Sequence, residues 1–315
     1  MPLVVSLSAD NRTRKRLESN PNRLIEDVIK KFVRTSPLNR LDAFAGDPIY
    51  DKPLVGFADG DDPLFAEYKK VVHQQHFTPR EILTKHLAQT LKQESASVTN
   101  VSVISFALPI NSETKDSNAL EKEGPSLRWN NTRWKGQDFI AELSRHVVSM
   151  LEHSGFHAVA PELSPYFEIF GPLDNLTSCW SQRHMAYAAG LGTFSLNDGF
   201  ITAKGMAIRF GSIVTDLKLE PSPRPYGNHL ANCLFYATGK CGACIRRCPG
   251  DALSEKGHNK LKCLQTLYEK QKPWLDGAHG PGYIGLYAGC GLCQTGVPCE
   301  SRIPATAKIK REHNG

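Results

Sequence analysis

The stretch Cys241-Gly-Ala-Cys244-Ile-Arg-Arg-Cys248-Pro249 decides how this chain is read. Three cysteines fall within eight residues and proline closes the run. A thiolate combines full charge with polarisable sulfur, so such a run suits zinc or an iron–sulfur cluster.

The proline narrows the choice. In the bacterial ferredoxin run C-x2-C-x2-C-x3-C-P, the cysteine before proline ligates the other of two clusters. The motif therefore predicts a second cysteine set downstream, and Cys263, Cys290, Cys293 and Cys299 supply it. Laid on that run from the proline end, the last three cysteines match and the first position falls on Thr238, a poor ligand, so Cys233 is expected to substitute from a longer loop. Crossed ligation then predicts one 4Fe–4S cluster on Cys233, Cys241, Cys244 and Cys299, and another on Cys248, Cys263, Cys290 and Cys293. The alternative is structural zinc in two four-cysteine sites, which leaves the Cys248-Pro249 feature without a role. Cys179, the ninth cysteine, sits far upstream beside Trp180 and reads as a buried thiol.

Composition sets the frame around this metal-binding third. The chain has 315 residues, 40% apolar and 22% charged, enough for a sizeable core and two domains. No apolar run approaches the ~20 residues of a membrane helix. No basic lead or cleavage-like site marks a signal peptide, so a cytoplasmic protein is expected. The net charge of +6 is spread along the chain apart from a basic tail at Lys308, Lys310 and Arg311. A solvated surface accounts for it better than phosphate binding does.

Upstream, Leu24, Ile25, Val28, Ile29 and Phe32 share one face of a helix expected over 21–34. Residues 43–65, rich in Gly, Pro and Asp, read as irregular loop, and Asp59, Asp61 and Asp62 lack the terminal Glu of a calcium loop. Thr78-Pro-Arg-Glu81 is a capping box that starts the next helix. His73, His76 and His86 nearby read as packing residues. Residues 98–108 predict a buried strand, 111–124 an exposed loop, 137–152 an amphipathic helix ended by Gly155, and 157–160 a further strand. Strand, helix, strand is the pattern of an α/β layer. A short Ala-rich helix then runs into Gly190 and Gly192. That Gly-x-Gly lies at a helix end, so it is not a dinucleotide fingerprint. Two strands joined through Gly205 and a Pro-rich linker at 221–225 complete the upstream part.

Together these features resemble the epoxyqueuosine reductase and reductive dehalogenase superfamily, and more narrowly its short epoxyqueuosine reductase-like branch. The resemblance covers residues 97–305. It rests on Ala189-Gly-Leu-Gly192, on Asn197 with Ile201-Thr202, on Gly211-Ser-Ile-Val-Thr-Asp216, and on the eight-cysteine arrangement with its lone Cys263. It implies an α/β fold: a cobalamin-dependent-reductase-like α/β core (96–225), a helical and loop extension before it (1–95), and a C-terminal ferredoxin-like two-cluster domain (226–315). In the family, cobalamin lies base-off between core and clusters. Electrons from an external donor such as ferredoxin or flavodoxin reach cobalt through the clusters, while a side chain donates a proton. The resemblance thus implies that Gly190, Gly192, Asn197 and Thr202 border the corrin, since glycine backbone can approach a flat macrocycle.

The chain departs from the family in three places. The Cys233–Cys241 loop is long, and the Cys293–Cys299 spacing is five residues where the ferredoxin run has three. The strand at 158–161 also lacks the family's general-acid aspartate. Glu162, Tyr166, Glu168 and Asp174 are the candidate replacements, and His184 is a further one with its ordinary pKa of ~6.5. Arg183, Asp198, Arg128, Arg133 and Trp129 are polar or aromatic neighbours that solvated loops or turns also explain. The reading is an iron–sulfur oxidoreductase acting on a small-molecule or nucleoside-like substrate. The alternatives are an electron-transfer or binding module without turnover, and a zinc-stapled scaffold. A tRNA substrate follows from family analogy alone, because the chain offers a modest basic excess and no nucleic-acid motif.

Overall fold

The computed structural model describes residues 11–91, 98–172, 175–270, 281–285 and 289–305. Two helices open the chain, α1 (Asn11–Ser19) and α2 (Pro21–Thr35). Pro21 fixes the first turn of α2, Asn20 accepts a hydrogen bond from Arg23 N, and Leu24, Ile25, Ile29 and Val33 recur at helical spacing and are buried. The stretch read as irregular loop contains a strand, β1 (Leu54–Asp59). Its apolar run Leu-Val-Gly-Phe-Ala is short, and the surrounding turn residues masked it. After α3 (Leu64–Val71), the capping box opens α4 (Pro79–Leu91) as read: Thr78 N donates to Glu81 Oε2 at 2.8 Å and Glu81 N donates to Thr78 Oγ1 at 3.2 Å.

The central strand β2 (Ser102–Pro109) is buried along its whole length. The segment that follows is not the expected loop. Asn111 accepts from Glu113 N and starts α5 (Ser112–Ala119), a polar helix that buries Thr114, Lys115 and Asn118. Ser126 caps α6 (Leu127–His153), which begins ten residues before the apolar pattern that announced it. Its early turns bury Asn130, Asn131 and Thr132 instead of aliphatic residues. The chain returns as β3 (Ala158–Val159), makes a small hairpin of β4 (Ile169–Phe170) and β5 (Thr177–Ser178), and enters the Ala-rich helix α7 (Gln182–Ala188). A second hairpin, β6 (Gly192–Phe194) and β7 (Phe200–Thr202), precedes the long strand β8 (Ile208–Thr215). The strand after Gly205 therefore pairs elsewhere and not with β7.

The main sheet has the order β1-β2-β8-β3, with every neighbouring pair antiparallel. The β2–α6–β3 unit is split: β8 inserts between its two strands, giving a mixed α/β fold whose sheet is antiparallel throughout. Ile104, Phe106, Leu108 and Ile213 face α2 and α6, with Phe139 and Leu143 among their buried neighbours. Val103 and Val214 face the other side with Leu83, Trp180 and Met185. Burying side chains of this size is worth about 1.5–3 kcal/mol each. β1 is a sheet strand and α2 shares a core with α6, so the described residues 11–91 pack with the core that follows. The Pro-rich segment also packs, since Ser222 N donates to Phe57 O and Ser222 Oγ accepts from Phe57 N along the β1 edge. Among the described residues, no helix is long and apolar enough to cross a membrane. The basic tail and Asp174 lie outside them.

Candidate functional site

The cysteines of the C-terminal part fall into two neighbourhoods. Cys233 is the N-cap of α8 (Leu234–Thr238), and Cys244 lies in α9 (Ala243–Arg246). Cys299 returns from the chain's end to join them: its electrostatic neighbours are Cys233, Cys244 and Cys241. Those four line one small pocket with Leu196, Asn197 and Met206 of the core. Cys263, on α10 (Lys260–Gln265), instead neighbours Cys290 and Cys248, and Cys293 neighbours Cys290 and Cys263 and, more weakly, Cys244 of the first set. Burial, with adjacent cysteines adding to it, pushes the thiols of Cys244 and Cys263 up to about 11 and that of Cys299 up to about 12. Cys293 rises well above the ordinary thiol value for the same reasons.

The donor set is all cysteine, a set that structural zinc and iron–sulfur clusters both use. A tetrahedral zinc at ~2.3 Å from each sulfur would hold the sulfurs about 3.8 Å apart. Ala252 N lies 3.3 Å from Cys248 Sγ, an amide directed at a sulfur.

The core grips the second quartet by its backbone. Asn118 Nδ2 donates to Cys290 O at 3.1 Å, Trp129 Nε1 to Gly289 O at 2.9 Å, and Asn197 Nδ2 to Cys293 O at 2.9 Å. Arg247 Nε donates to Leu292 O and Thr295 O, while its Nη atoms reach Glu121 O and Asn118 O. Gly291 has φ +67 and its missing Cβ would lie 2.1 Å from the Trp129 ring, so only glycine lets this turn lie on α6.

The residues read as a corrin border do not fit that role. An added Cβ on Gly190 would meet Pro223 O at 2.2 Å, and one on Gly192 would meet Ile201 O at 2.3 Å. Thr202 is fully buried and donates its hydroxyl to Gly205 O. Asn197 serves its own turn and Cys293. The close approaches these glycines permit are made by the chain itself, so no step is routed through cobalamin.

Of the proton-donor candidates, three are placed elsewhere. His184 accepts or donates at Ser181 Oγ, 2.7 Å away, and lies edge-on to Tyr68. Burial pushes its pKa down to about 3, so it is neutral and carries no acidic imidazolium proton at pH 7. Tyr166 is buried in the apolar core under Lys85, and Glu168 is exposed. Glu162 remains. It sits in the turn Pro161–Leu163 immediately after β3. There β3 ends at Val159 while β8 runs back to Ile208, leaving that edge of β8 without a strand partner over 208–213 among the described residues.

A directional hydrogen-bond chain ends on this carboxyl group. Trp180 Nε1 donates to Ser212 Oγ at 2.9 Å, Ser212 Oγ to Gln182 Oε1 at 2.7 Å, and Gln182 Nε2 to Glu162 Oε2 at 2.9 Å. Burial raises the Glu162 pKa, against the opposing pull of Gln182, Arg133 and Arg209. Arg183 is exposed to solvent and Arg209 half exposed, yet burial depresses both guanidinium pKa values, that of Arg209 to about 10. The sequence reading passed over Gln182, Ser212 and Arg209. Arg209 carried a signal, as the one charged residue in the apolar strand Ile208–Thr215.

An α/β core carrying a two-quartet cysteine module and a polar cleft at its sheet edge is the class of protein these features define. Neither protein-family models nor the curated proteins give a match to the chain. Solved structures do. The chain is similar to an epoxyqueuosine reductase at 16% identity and TM-score 0.47, covering 90% of this chain and 70% of that one. It is also similar to an epoxyqueuosine reductase solved with a tRNA-Tyr epoxyqueuosine-modified stem loop (16%, TM-score 0.44, 88% and 65%). A third is a reductive dehalogenase described with a mechanism for B12-dependent dehalogenation (16%, TM-score 0.45, 67% and 27%).

Proposed function

We propose that this protein is an iron–sulfur oxidoreductase with one 4Fe–4S cluster on Cys233, Cys241, Cys244 and Cys299 and another on Cys248, Cys263, Cys290 and Cys293. The observation that carries the reading is the exchange between the two sets: Cys299 sits with the upstream cysteines and Cys248 with the downstream ones. When bound, the clusters supply one-electron transfer from an external donor of ferredoxin or flavodoxin type. The residues do the rest. Trp129 ties the second quartet to α6, and Arg133, four residues on, lies on the same helical face toward the cleft. Gln182, oriented by Ser212 and Trp180, fixes the Glu162 carboxyl and leaves Oε1 for the proton passed to the substrate. A pure electron carrier has no use for such a chain of donors on a half-buried acid.

The test is anaerobic purification followed by iron, labile sulfide and zinc analysis with electron paramagnetic resonance. About eight iron and eight sulfide per chain are expected for two four-iron clusters. Zinc without iron or sulfide would sink the proposal. Added cobalamin should remain unbound.

A further inference from the structure

The cleft beside Glu162 holds more donors than acceptors. Arg209 on β8 and Arg133 on α6 lie within electrostatic range of one another, of Tyr50 and of Glu162. Among the described residues, no hydrogen bond or ion pair reaches the Arg209 guanidinium. Arg133 has only a long 3.5 Å contact with Gln137 Oε1 and stacks on Trp134. The Tyr50 hydroxyl is buried against Gly136, one turn along α6, with no acceptor among the described residues, and Trp134 Nε1 is in the same state. Glu162 is the carboxylate in range, and its Oε2 already accepts from Gln182.

Two half-buried guanidiniums within electrostatic range of each other repel and forgo hydrogen bonds that water would otherwise make. An oxyanion relieves both costs, because the guanidinium fork matches phosphate and carboxylate oxygens and charge-assisted bonds of this kind are the strong ones. We infer that Arg133 and Arg209 bind the anionic group of the substrate, an oxyanion of phosphate or carboxylate type, and thereby hold its reducible part beside Glu162. The assignment of this anion as a substrate group rests on the oxidoreductase reading; the binding itself does not, since no cysteine takes part.

The experiment is calorimetric titration of the cluster-loaded full chain with inorganic phosphate and, separately, with benzoate. Saturable binding of at least one is expected, stronger phosphate pointing to a phosphate-bearing substrate and stronger benzoate to a carboxylic acid. Arg209→Met and Arg133→Met should each weaken it about ten-fold or more. Arg145→Met, at an exposed pair near the far end of α6, should leave it unchanged. Absence of saturable binding by both anions overturns the inference. So does full affinity in Arg133→Met, the variant on a helix surface and least at risk of misfolding. Binding that fails while the iron content stands removes this inference alone; zinc in place of iron removes the oxidoreductase reading and leaves the binding result intact.

Discussion

Between β2 and α6, Ile104, Phe106, Leu108 and Phe139 have no exposed surface, and apolar packing continues from there to α2 on one face and α7 on the other. From residue 233 to 305 the buried apolar side chains among the described residues are sparse: Leu253, Leu292, Val297 and Ile303 with Ala252 and Cys233. The core is ordered by burial. The cysteine module is ordered by side chains of Asn118, Trp129, Asn197 and Arg247 that grip its backbone carbonyls, and by whatever its thiols hold. A region with so little apolar burial would draw its folding energy from the metal groups proposed for its cysteines. The two regions should therefore respond to iron loss in opposite ways.

The largest effect tests this directly. Stripping iron with a chelator should make the chain after Tyr226 sensitive to limited proteolysis while the described core up to Leu219 stays resistant. Cys293→Ala should lower iron content by about half, since the other quartet keeps its four ligands. A module as resistant without iron as with it would erase the contrast.

The seam between the regions is the next place to break it. At Gly291, alanine adds about 1–2 kcal/mol for the left-handed backbone and about 1–3 kcal/mol for pressing on the Trp129 ring. Gly291→Ala should therefore destabilise by about 3–4 kcal/mol in denaturant unfolding. Gly289→Ala, with open space around its Cβ, should cost far less. Equal effects would mean that Trp129 is not the support of this turn.

The core has its own weakness, in acid. His76 is fully buried, stacks on Trp180, and accepts from Ser181 N, while burial lowers its pKa to about 4. The unfolded chain binds this proton near pH 6.5 and the folded chain only near pH 4. Its contribution is thus fully present above pH 6.5 and is lost as pH falls toward 4, by about 3 kcal/mol in all. Denaturant unfolding at pH 7 and pH 5 reads the slope, and His76→Gln should flatten it. A slope unchanged in that variant would place the acid sensitivity elsewhere.

The same division explains what the sequence made legible. Cysteines proposed to ligate one cluster must be spaced to reach it, so the module's pattern survives in linear order even with a long Cys233–Cys241 loop. Periodicity likewise exposed α2 and the capping box of α4. The cleft left no such trace. Glu162, Gln182, Ser212, Arg209 and Arg133 come from a turn, two helices and a strand, and only the free edge of β8 brings them together. The short strand β1 and the polar helix α5 were hidden for a related reason: β1 is brief among turn residues, and α5 buries polar side chains, Thr114 and Asn118, that carry no apolar period. The glycines at 190 and 192 were visible but served the chain's own packing.

The smallest expected effect separates support from ligation. Asn197 uses Oδ1 to accept from Gly199 N and Ser195 Oγ within its own turn, and Nδ2 to donate to Cys293 O. Asn197→Asp keeps the acceptor and removes the donor, so the turn persists while one bond to the module is lost, worth about 1 kcal/mol. The loss belongs to the Cys290–Cys293 turn, where Gln294 N donates to Gly291 O. Hydrogen exchange should therefore quicken at Gln294 and Thr295 and stay unchanged along β2. Iron content should hold, because no ligand has been touched. Faster exchange in both regions would show the core and module unfolding as one unit, and would dissolve the distinction between burial on one side and backbone grip on the other.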